Sequence, residues 1–207
     1  PISTAPIHIS RIQLAGPSNH LQPTMHKQLV RLSALLMLAC LWLLCRPAAL
    51  SAESRLPGEY QVKAAFVFAV TKFVVWPGTP AGTSTPLRIA VLGSDPFGQH
   101  LDDLQGKTVR GRPVVIRRLS RLEDAGKSDV LYISPSEKAN LQQILKQLRG
   151  RPVLTVSDFP GFCRLGGMVN LVVQQNRVTF EVNNGAAQRS RIRISSKLLK
   201  LARIVIN

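Results

Sequence analysis

Downstream of residue 52 the chain offers few groups that could do chemistry. His100 is the single histidine there, beside Asp102 and Asp103, and Cys163 is the single cysteine. An ordinary metal centre needs three or four such ligands brought together, and this set cannot supply them. A Ser–His–Asp or Cys–His relay through His100 is arithmetically possible, but no nucleophile stands in a recognisable strand-turn-helix elbow. Asp102 and Asp103 are adjacent in a helix, so they point apart and make poor acid/base partners. These three residues read as surface groups capping a helix. Gly93, after a strand, is a lone glycine and weak evidence for a phosphate cradle. The expectation is no catalysis, no metal and no cofactor.

Binding is the better prospect. Arg110, Arg112, Arg117, Arg118 and Arg121 are dense. On a strand Arg117 and Arg118 face opposite sides, so at least one meets solvent or an acidic partner. A second candidate lies in Asp158–Asn183, whose leading loop holds Pro160, Gly161, Cys163 and the pair Gly166-Gly167. Loops on a rigid scaffold often carry binding, and Arg164 is its expected solvent-facing charge. Arg164, Arg117 and Arg118 are therefore the candidate partner contacts.

The 207 residues carry a formal charge of +16 and are 45% hydrophobic, enough for a real core. Residues 1–24 lack periodicity and are expected to be unstructured read-through upstream of a true start at Met25. Residues 25–52 then follow signal-peptide order. Basic His26, Lys27 and Arg31 precede the apolar run Leu32–Cys45 and the small residues Ala48, Ala49, Ser51 and Ala52. The run is about 14 residues, short of the roughly 18–20 that span a bilayer. Cleavage is expected after Ser51 or Ala52, leaving one exported domain over residues 53–207. That part holds 23 Lys and Arg against 11 Asp and Glu, a net +12. Such an excess favours acidic partners or anionic membrane surface; export makes nucleic acid a poor explanation. Cys163 would have no internal disulfide partner and is buried and inert, intermolecular or reactive.

The elements that must position these residues alternate. Glu59–Trp76 is read as a helix stopped by Pro77, with Val62, Ala65, Phe66, Ala69, Phe73 and Trp76 in one stripe. It either packs on a sheet or offers a dimer or partner face. Leu87–Leu92 is a strand, followed by a helix opened by Asp95-Pro96 and running to about Leu104. Pro113–Leu119 and Asp129–Ile133 are strands around a short Ser120–Gly126 element. Ser134-Pro135-Ser136-Glu137 is a capping box for a helix ending at Gly150, and Val153–Val156 is a strand. Met168–Gln174 and Arg177–Val182 form a hairpin around Gln175-Asn176. Asn184–Arg189 and Ser195–Ile206 are helices. The pattern predicts an α/β domain: a mostly parallel central sheet with a C-terminal antiparallel hairpin, helices on both faces, three layers.

The segments Glu59–Pro77, Gly161–Asn183 and Ile194–Val205 (EYQVKAAFVFAVTKFVVWP, GFCRLGGMVNLVVQQNRVTFEVN and ISSKLLKLARIV) together resemble the YfiR family of exported bacterial proteins. The resemblance spans about residues 59–205. It implies a periplasmic domain that binds the periplasmic part of an inner-membrane diguanylate cyclase and holds its output low. It also implies sequestration by an OmpA-like outer-membrane lipoprotein, with cyclic-di-GMP as a downstream readout rather than a ligand. A homodimer is a further expectation. Paired cysteines of the family are absent here, so control by an internal disulfide does not carry over. The competing expectation is a periplasmic small-ligand or sensor domain, which alternating βα units would serve equally well.

Overall fold

The strands at the centre of the sheet are those buried on both faces. In the computed structural model, which describes residues 58–78 and 84–207, β2 (Leu87–Leu92), β5 (Val130–Ile133) and β6 (Leu154–Ser157) are buried along nearly their whole length. Strands covered on both faces tend to be apolar at successive positions, as β5 is throughout and β2 is except for Arg88. β6 alternates, and its buried Thr155 and Ser157 hydroxyls accept from the Met168 N–H and donate to the Ile133 carbonyl. Around them lie β3 (Thr108–Val109), β4 (Arg112–Leu119), β7 (Val169–Gln174), β8 (Arg177–Asn183) and β10 (Ile204–Ile206). The order across this sheet of eight strands is β10-β8-β7-β6-β5-β2-β4-β3. The pairs β4/β2, β2/β5, β5/β6 and β6/β7 are parallel, while β7/β8 and β3/β4 are antiparallel. Gln175 and Asn176 close the hairpin with φ of 48° and 63°, the two left-handed residues of a type I′ turn.

Helices cover both faces, as expected. Alternation sends Leu87, Ile89 and Val91 into a core under α1 (Glu59–Thr71), and Ala90 and Leu92 into a second core under α3 (Leu141–Gln147). Between them in sequence stand α2 (Gln99–Asp102) and 3-10 turns at Leu122–Lys127 and Pro135–Asn140. After the hairpin come α4 (Asn184–Arg189), β9 (Arg193–Ile194) and α5 (Ser196–Leu201).

Five local expectations need correction. The first helix ends at Thr71, not Trp76, and Val74–Val75 (β1) instead pairs antiparallel with β9. The Thr71 hydroxyl donates to the Phe68 carbonyl at 2.6 Å, and the N–H groups of Lys72 and Phe73 close tighter turns onto Ala69 and Val70. The β-branched pair after that stop fits an extended ribbon better than a helix.

The buried face of α1 is also not the stripe read from the sequence. Ala64, Val67 and Val70 are buried, whereas Val62 is 45% exposed and Ala65 faces solvent. A helix apolar on two sides carries no periodic signal to choose between them.

The helix after β2 starts only at Gln99, because Gly98 has φ 53°, and the Asp95 carboxylate caps the Phe97 N–H of the preceding loop. The last helix stops at Leu201, and Ile204–Ile206 runs parallel to β8 as an edge strand. At the capping box, Ser134 receives the Ser136 N–H and Pro135 opens the turn. Glu137 does not reach back, since the Ser134 N–H already donates to Leu92; its carboxylate accepts from Asn140.

The leader reading for residues 1–52 lies outside the described residues. Among those described, no helix is long and apolar enough to cross a membrane.

Candidate interaction surface

Open α/β sheets present their chemistry outside the carboxyl ends of the parallel strands. Here the chain leaves β6 at Asp158, and that carboxylate is fully engaged. Its side chain is 2% exposed and accepts from Lys63 at 2.6 Å, from the Tyr132 hydroxyl at 2.5 Å and from the Tyr60 hydroxyl at 3.1 Å. Lys63, buried on α1, also meets Glu59. Burial, and then the charge of Asp158, raise the Tyr132 pKa above its ordinary value. The phenol therefore stays a donor. Phe97 stacks edge-on against both Tyr60 and Tyr132. This cluster pins α1 to the carboxyl ends of β5 and β6. Neither Lys63 nor Asp158 stood out in the sequence. A lysine at 63 and an acid at 158 carry no mutual spacing signal.

The loop from Asp158 to Met168 is held from beneath. Phe162 is completely buried and meets Phe159 edge-on, ring centroids 5.3 Å apart. Asn183 donates its amide to the Cys163 carbonyl at 2.8 Å, and Gln142 donates to the Leu165 carbonyl at 3.1 Å. The Cys163 thiol lies against the carbonyls of Met168 and Glu181. Burial first, and then Glu181, push that thiol up to about 12. Only thiolate is nucleophilic. At pH 8 the thiol is held in its protonated, unreactive form. Iodoacetamide should therefore leave native Cys163 unlabelled and label it in urea, and reductant should leave the melting temperature of monomer unchanged. Rapid native alkylation would show the loop opening on its own.

At the surface the loop presents Arg164 and Leu165, the latter 45% exposed. Arg117 is also exposed, on the α3 face of the sheet because it lies beside Ala90 in register. Arg118, on the opposite face, is committed within the fold. Its guanidinium donates to Asp95 and Asp102, each at 2.7 Å, and to the Gly98 carbonyl at 3.1 Å. These bonds hold the Asp102 carboxyl below its ordinary range. The three arginines are not gathered into one site. Two strands, β5 and β2, separate β6 from β4, or about 14 Å at ~4.8 Å per strand spacing. Arg112, from the same basic run, is structural: it is buried and donates to the carbonyls of Thr85 and Pro86 and to the Asp129 carboxylate. His100 is exposed, and among the described residues no group of three potential metal ligands occurs.

Beside the loop a groove of about 630 Å³ opens between α3, α4 and the segment Leu165–Met168. Leu145, Leu148, Val153 and Met168 contribute apolar lining, and Lys146, Arg149 and Arg189 stand exposed around it. No stretch of sequence announced this groove. Its walls come from three separate segments between Gln142 and Ser190.

A family model described as YfiR/HmsC-like matches residues 60–203. Solved structures give distant likenesses. An ABC domain from Streptococcus pneumonia, crystallised with L-Trp, is 13% identical over 71% of this chain and 60% of that one, with a TM-score of 0.48. A conserved domain protein from Vibrio cholerae is 13% identical over 70% of this chain and 60% of that one, with a TM-score of 0.47. The chain thus spans about 60% of the length of each of these proteins.

Proposed function

Since this chain belongs to the YfiR/HmsC-like family, whose model covers residues 60–203, we propose that it is a periplasmic regulatory binding protein. It restrains an inner-membrane diguanylate cyclase by contact with that enzyme's periplasmic part, lowering cyclic-di-GMP output. The family match is the observation that carries this reading. It is supported by an internally tied scaffold that leaves cations such as Arg164 and Arg117 facing solvent. The reading assigns the domain no reaction of its own. It places residues 25–52 as a cleaved export leader, and an OmpA-like outer-membrane lipoprotein as the partner that withdraws the repressor.

Deleting the gene should raise cellular cyclic-di-GMP severalfold in a strain with an intact cyclase, and restoring the protein should bring it back. Mass-spectrometric quantification of the nucleotide reads this directly. An unchanged level would overturn repression and favour periplasmic solute sensing.

A further inference from the structure

We infer that the groove between α3, α4 and the Leu165–Met168 segment seats an acidic peptide segment with apolar anchors, supplied by the protein partner. The charge pattern carries the inference. Lys146, Arg149 and Arg189 line the groove with no carboxylate among its lining residues. Every ion pair found among the described residues uses other cations: Lys63, Arg112, Arg118, Lys127 and Arg203. Exposed cations lining one concavity raise its local potential, which an anionic partner relieves. The Arg191 guanidinium, donating to the Gly150 carbonyl at 3.2 Å, adds a further positive charge nearby.

Charge alone would suit any anion. The apolar lining restricts the choice: Leu148 and Met168 are already buried, and half-buried Leu145 gains from covering only if the occupant brings apolar side chains of its own. Leu165, exposed beside Arg164, extends the apolar surface to the rim. Concavity argues for a chain segment over a lipid surface, since a bilayer is flat and reads protruding cations. The volume lies within the range of sites that enclose a short stretch of side chains. This inference rests on the contact-repression reading above and names the chemistry of the contact.

The test uses the purified protein and a fluorescein-labelled peptide of alternating glutamate and leucine. The expected result is binding that weakens with salt and falls at least tenfold when Lys146→Glu, Arg149→Glu and Arg189→Glu are combined. Lys107→Glu, exposed beside β3 at the far edge of the sheet, should leave it unchanged. Lys146→Gln with Arg149→Gln provides a milder version should the triple reversal fail to fold. A lysine–leucine peptide should not bind. Peptide binding indifferent to these substitutions would overturn the proposal. So would equal, groove-dependent binding to phosphatidylglycerol vesicles, which would make the site a membrane contact. The function reading fails separately: groove-dependent peptide binding with no change in cyclic-di-GMP on deletion would leave the groove and remove the cyclase. A deletion effect without groove dependence would do the reverse.

Discussion

Asp158→Ala should destabilise the protein by about 3–5 kcal/mol, the usual consequence of removing one partner of a buried ion pair. The side chains of Lys63 and Asp158 are 4% and 2% exposed, so solvent does little to screen the change. The substitution strips Lys63 of its interaction at 2.6 Å and leaves the Tyr132 hydroxyl, inside the core, without its acceptor. Lys63 keeps Glu59, which limits the damage on that side. Asp158→Asn, which retains an acceptor oxygen, should lose less. Replacing Lys63 and Asp158 together by methionine and leucine should recover part of the single-mutant loss, since neither buried partner remains as a lone charge, and the recovery stays partial because Glu59 then loses Lys63. Urea midpoints at constant m-value measure all three. A loss below about 1 kcal/mol for Asp158→Ala, the range of exposed pairs, would mean that water replaces the carboxylate and that α1 is docked by its apolar face alone.

Gly167→Ala should cost about 1–3 kcal/mol or more, from one methyl group. A Cβ there would stand 2.2 Å from the Phe162 ring, well inside van der Waals contact. The ring cannot swing aside cheaply, because Phe162 is fully buried and packed against Phe159. The neighbouring Gly166 is held for a different reason, a φ of 106° that side chains rarely adopt. The pair is therefore no free hinge. One glycine serves a turn and the other a close approach. Relief is expected from Phe162→Leu in the Gly167→Ala background, and a thermal melt of the four variants would show the coupling. Additive effects would place the strain elsewhere in the loop.

Much of the strand pattern was written locally. Leu87–Leu92 and Val130–Ile133 are short apolar runs bounded by breakers, and such runs must be covered on both faces wherever they sit. The Gln175-Asn176 turn and the Asn184–Arg189 helix likewise depend on neighbours in sequence, with Asn183 capping the Ala186 N–H. The family resemblance, carried by the ends of the domain and the hairpin, was legible too.

Choices between equivalent local options were not. The face that α1 buries depends on Asp158, 95 residues away from Lys63. Ile204–Ile206 is apolar enough for helix or strand, and β8's open edge decides in favour of strand. Arg118 and Arg164 look alike in sequence. Burial of neighbours and the positions of Asp95 and Asp102 tie the first into the fold, whereas the second stands exposed on its loop. The basic groove has no sequence signature at all, because a concavity is a relation between α3, α4 and a loop that only the packed sheet brings together.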